Sequence, residues 1–164
     1  MFKKLLVGLV SSLAFAMPAV ATVQPGTGPL LQALDDHTEF SVHHNTVLCK
    51  RGMDGSFRPY TGVVTICTDT DRWDANDHDT VRHETWHVIQ HCLRQPGHTK
   101  LQPVVTPGTT EWREYVLSNL TPELHNFIIS EYPPTHHAVE LEAFAMAGTL
   151  SSSQIHELFV KACY

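Results

Sequence analysis

Near the start of the chain, Lys3 and Lys4 precede a mainly apolar run from Leu5 to Ala16, followed by Pro18 and by Ala19 and Ala21 around Val20. A cationic start, an apolar stretch short for a bilayer and a small-x-small site form the layout of a secretory signal peptide. Residues 1–21 are therefore expected to be removed, with the mature chain beginning at Thr22 and no permanent anchor retained. After a Pro/Gly-rich lead from Gln24 to Pro29, the pattern predicts a helical turn over Leu30–Leu34 and strands over Thr38–His44 and Thr46–Cys49. Gly52, Asp54 and Gly55 place a turn in Arg51–Ser56, and the β-branched run in Gly62–Thr68 predicts another strand. These segments are expected to pair as a small antiparallel sheet.

From there the periodicity lengthens. Thr68–Asp79 is polar and rich in Asp, so it reads as a loop, with Asp79 placed to cap a helix from about Thr80 to Leu93. Pro96 and Gly97 end that helix, and Pro103 and Pro107 keep the chain irregular to Gly108. A helix is predicted from about Thr110 to Leu120, continuing through Thr121, Pro122 and Glu123 to about Ser130. Another follows Pro133 and Pro134 and reaches Leu150, and a last one covers Ser153–Cys163. Strands followed by helices define an α+β class, and after the leader the remaining chain suits one domain, residues 22–164.

Composition adds a compartment and removes a partner class. The formal net charge is −6, and loss of the two leader lysines makes the remainder more acidic, so there is no basic stripe for nucleic acid. Four cysteines, Cys49, Cys67, Cys92 and Cys163, all lie beyond the leader, and an even number in an exported chain points to two disulfides. Three pairings are open. Cys49 with Cys67 in the strand region and Cys92 with Cys163 near predicted helix ends is the preferred set, and no pair has the close spacing of a zinc knuckle.

The candidate chemistry lies in the first long helix, as His83-Glu84-Thr85-Trp86-His87. Side chains four apart share a helix face, so both imidazoles can grip one metal ion, while Glu84 is near enough to act as general base toward a metal-activated water. Val81, Val88 and Ile89 can bury the inner surface of that helix. Two imidazoles supply only two ligands, so a third must come from another segment.

In this motif, and in the uncharged and apolar residues around it from Thr80 to Ile89, the chain resembles the zincin superfamily of zinc metallopeptidases. Leu93 occupies the place of the third histidine of metzincins, with Gln90 at the place of their glycine, which excludes that branch. Gly108-Thr109 has no nearby aspartate of the aspzincin kind. Gluzincins take a glutamate from a later helix, and Glu140 with Ala143 matches their E-x-x-A. Glu142, about 200° further round a helix, is the alternative third ligand. The resemblance therefore implies a gluzincin-like ligand set of His83, His87 and Glu140 around Zn2+. Some gluzincins place an aspartate one turn beyond the third ligand to orient a zinc histidine; Phe144 stands there in this chain, so another partner is needed.

His136, His137 and Tyr132 are auxiliary candidates for stabilising an oxyanion. His91 continues the His83, His87 ladder, and Trp73 and Trp112 read as core aromatics. The expected function is hydrolysis of peptide bonds outside the cytoplasm, on a peptide or protein substrate or cell-wall peptide. Two alternatives stand beside it: a non-catalytic zincin-like binding or structural module, and an exported metal-binding protein, suggested by the twelve histidines.

Overall fold

A computed structural model describes residues 27–49, 53–68 and 73–164. The expected signal peptide, residues 1–21, lies outside them. Helix α1 (Gly28–Asp36) is followed by strands β1 (Ser41–His44), β2 (Gly55–Arg58) and β3 (Val63–Ile66). Helices α2 (Ala75–Cys92), α3 (Thr110–Tyr115), α4 (Pro122–Glu131), α5 (His137–Thr149) and α6 (Ser152–Cys163) complete the α+β architecture. Among the described residues no helix is long and apolar enough to cross a membrane.

The sheet is mixed, in the order β1-β3-β2, where a wholly antiparallel one was expected. β2 and β3 form the antiparallel pair, joined by a tight turn in which Thr61 and Gly62 donate to the Arg58 carbonyl. β1 pairs with β3 in parallel because the chain leaves β1 by a long connection and returns on the far side of β3. That connection includes Thr46–Cys49, which turns and does not form a strand. Asn45, at φ 51°, initiates the turn, and its side chain holds the Thr68 backbone N–H at 2.8 Å. Strand β2 itself was unmarked in the sequence because its glycine and its neighbours read as turn chemistry.

Helix α2 starts a turn earlier than predicted. Asp74 and Asp77 each accept the other's backbone N–H, at 3.0 and 2.8 Å, so the cap lies at Asp74, and Asp79 pairs instead with Arg82. Downstream, the predicted long helix over Thr110–Ser130 is interrupted. A 3-10 turn at Leu117–Asn119 separates α3 from α4, and Thr121 caps α4 by accepting from Leu124. Leu30–Leu34 is part of a full helix, with both leucines buried.

α2 is the centre of the molecule. It packs against α1, β2, β3, α5 and α6, and every residue from Thr80 to Gln90 is buried. Val81, Trp86, Val88 and Ile89 join Leu34, Val64, Ile66, Ile155 and Phe159 in one apolar core, with Trp112 also inside. The same burial takes Arg82, His83, Glu84, His87 and Gln90 out of water. Polar groups in such a place persist only with partners or a ligand. Arg82 finds Asp79 and the Ala147 carbonyl, at 2.8 Å to the latter, which fastens α5 to α2.

Disulfides Cys49–Cys67 and Cys92–Cys163 are formed, the pairing preferred from the sequence, and they suit an oxidising, extracellular compartment. The second spans 71 residues and ties the end of α2 to the end of α6. Loop-closure entropy for that length corresponds to about 4 kcal/mol. Replacing both Cys92 and Cys163 by Ser should therefore lower the thermal midpoint by more than ten degrees. A shift of only a degree or two in a calorimetric scan would count against the bridge as a main restraint.

Candidate metal centre

His83 and His87 stand on one face of α2 with Nε2 atoms 3.0 Å apart, and α5 brings Glu140 to them, its Oε2 3.4 Å from each Nε2. The close packing of α5 on α2 that allows this rests on small side chains, Ala143 and Ala147 among them, both buried. All three ligand-type side chains are buried or nearly so.

A point equidistant from the three atoms lies about 1.9 Å from each, by the triangle these separations define. Zinc holds nitrogen and oxygen ligands at about 2.0–2.2 Å, so the three atoms are spaced closely enough to be held by one ion. Glu140 Oε2 and His83 Nδ1 are buried without a hydrogen-bond partner, as is the nearby Glu84 Oε2. Burial opposes charge throughout, yet the two facing imidazoles outweigh it at Glu140 and hold its carboxyl well below the usual carboxylate range. At His87 burial is likewise outweighed, by Glu140, and the imidazole is pushed up to about 9, whereas at His83 burial prevails and the pKa falls. The centre thus draws one positive charge toward a carboxylate, a demand that a bound metal cation would meet in place of the proton.

Glu84 follows His83 on the helix and is directed toward β2, with its Oε1 close to Gly55. Burial pushes its carboxyl up to about 7, with Glu140 adding to the rise and His87 opposing it. β2 approaches this closely only because residue 55 is glycine: a Cβ there would lie 2.6 Å from Thr80 Cγ2 and 2.9 Å from Glu84 Oε1.

His83, Glu84, His87 and Glu140 form the floor of a cleft of about 610 Å³. One wall carries Met53, Phe57 and Tyr60, and the other carries Tyr132, His136 and Val139. Partial burial, with Glu140 and Glu84 nearby, pushes the Tyr132 hydroxyl up to about 12, so it stays a proton donor. His137, an auxiliary candidate from the sequence, does not line the cleft, since its Nε2 lies 2.8 Å from the Tyr132 carbonyl across the entrance to α5. His91 is also remote from the centre, lodged between Phe40 and Phe57.

Glu142 is placed apart from the ligand group. It is 0% exposed and takes N–H groups from Trp86, Gln90, Val104 and Val105 at 2.6–3.1 Å. The sequence offered it as the alternative third ligand, yet it ties α2 and the 104–105 segment to α5. Gln90, unremarked as a participant in the sequence, accepts from His87 Nδ1 at 2.8 Å, and Phe144 packs its ring on His83 with centroids 4.4 Å apart. Its only sequence signal was its place one turn beyond the motif, on the helix face that carries His83 and His87.

Comparisons with protein-family models, with curated proteins and with solved structures found no match to this chain.

Proposed function

We propose that the chain is an exported zinc-dependent peptidase or related amide hydrolase of the zincin kind, with a gluzincin-like ligand set. The observation that carries this reading is the convergence of His83 Nε2, His87 Nε2 and Glu140 Oε2 at the floor of an open cleft, beside the unpartnered carboxylate oxygen of Glu84. Two imidazoles and one carboxylate, with the cleft side left open, form the donor set of catalytic zinc. Zinc held there supplies Lewis acidity, polarising a carbonyl oxygen and acidifying water.

The remaining work falls to the chain. Glu84, whose Oε2 is unpartnered, is free to take the proton of the attacking water and return it to the departing amine. A carboxyl raised to about 7 is suited to both directions of transfer near neutral pH. The Tyr132 hydroxyl is the best-placed donor toward the oxygen that gains charge, with the exposed His136 beside it. The cleft wall of Met53, Phe57 and Tyr60 favours peptides with apolar side chains over acidic polymers.

The deciding experiment measures metal content of the purified mature protein together with hydrolysis of a broad peptide mixture. One zinc per chain and cleavage abolished by a chelator are expected. Stoichiometric zinc without cleavage would favour the non-catalytic module, and failure to bind any divalent ion would remove the metal reading itself.

Gly55→Ala gives a finer check on the role of Glu84. The added methyl displaces the carboxylate while leaving the three ligands in place, so zinc content should hold and hydrolysis should fall on the order of 100-fold. Unchanged hydrolysis would mean that the contact of β2 with Glu84 does not matter to the chemistry.

A further inference from the structure

We infer that Gln90, itself oriented by Glu142, is a positioning residue that presents His87 to the metal through Nε2 and sets the register of Glu140 against it. This rests on reading His83, His87 and Glu140 as a metal centre. The direction of every hydrogen bond in the chain is forced. The Gln90 side-chain nitrogen lies 3.0 Å from the Val139 carbonyl, which can only accept, and 2.8 Å from Glu142 Oε2, which already takes the Trp86 and Val104 N–H groups. The amide nitrogen must therefore occupy that position, which leaves Gln90 Oε1, an acceptor only, facing His87 Nδ1 at 2.8 Å. His87 must carry hydrogen on Nδ1, and its Nε2 is turned toward His83 and Glu140.

The same amide fastens the ligand on the other helix. Val139 and Glu142 bracket Glu140 on α5, and both bind Gln90 on α2. Glu142 in turn is held by Trp86 Nε1 and by the backbone of Val104 and Val105. His83 has no comparable partner, since its Nδ1 is unpaired and its ring rests on Phe144. His87 is thus the ligand oriented before metal arrives. This places on Gln90 the task for which the position of Phe144 offers no carboxylate.

The test compares zinc dissociation constants, by chelator competition, for the full mature chain and two variants, well below their unfolding temperatures. Gln90→Met keeps volume and removes all three side-chain hydrogen bonds; zinc affinity should weaken about 10–100-fold. Gln90→Glu restores an acceptor for His87 Nδ1 but sets a carboxylate against Glu142. It should be less stable than Gln90→Met and yet bind zinc more tightly. A purely structural role would make affinity follow stability in both variants, and either that pattern or a wild-type affinity in Gln90→Met overturns the inference. Should Gln90→Met fail to fold, the zinc-loaded wild type decides: the His87 Nδ1 proton should give a slowly exchanging NMR signal, and rapid exchange with solvent overturns the inference. A wild-type chain that binds no zinc fails at the earlier step, the metal centre.

Discussion

Glu84→Gln should bind zinc as the wild type does and lose peptide hydrolysis by about 10²–10⁴-fold, the usual contribution of a positioned proton carrier. Its carboxylate is beside the ligand group and not within it, and Oε2 is buried and unpartnered. The amide keeps the size of the side chain but cannot take a proton from water. Stability should not fall, because the substitution removes a charge from a buried site. Zinc content, thermal midpoint and hydrolysis rate measured on one preparation separate the outcomes. Near-normal hydrolysis would place bond cleavage elsewhere on the molecule, and loss of zinc would show that Glu84 helps to hold the ion.

The second large effect distinguishes two glutamates that the sequence presents almost side by side. Glu140→Ala should abolish high-affinity zinc binding and activity while leaving a folded protein, since its carboxylate has only the two imidazoles as close partners. Glu142→Ala should do the opposite first and unfold the protein. It strands four N–H donors in a closed interior, each costing about 1–3 kcal/mol when left unpaired, and that sum is comparable to the whole stability of a small domain. Glu142→Gln keeps the volume and is the gentler probe, but its amide must turn a donor toward one of those N–H groups, so a clear fall in thermal midpoint is still expected. Normal stability in both Glu142 variants would contradict the buried network, and tight zinc binding by Glu140→Ala would remove it from the ligand set.

What the sequence determined by itself was local. Spacing four apart on a helix puts His83 and His87 on one face whatever surrounds them, the even cysteine count is read without a fold, and the helices after Pro133 and before Cys163 follow from caps and periodicity. The order of strands before helices was enough for the α+β class. Where two local signals competed, the nearer one misled. Asp79 looked like the cap of α2, but Asp74 and Asp77 satisfy each other's backbone donors and start the helix earlier. Gly55 looked like a turn residue, and it is a strand residue whose missing side chain admits Glu84.

Only the tertiary structure decided what each buried polar group does. Glu140 and Glu142 have the same chemistry, and periodicity says only that they point in different directions. The packing angle of α5 on α2 determines which direction meets the imidazoles and which meets Trp86, Gln90 and the 104–105 backbone. That angle depends on contacts between residues some fifty positions apart, such as Arg82 with the Ala147 carbonyl, at a sequence separation of 65. The parallel pairing of β1 with β3 and the support of His87 by Gln90 are of the same kind. Each depends on which segments the collapsed core brings together, and helical or strand periodicity carries no information about partners so far along the chain.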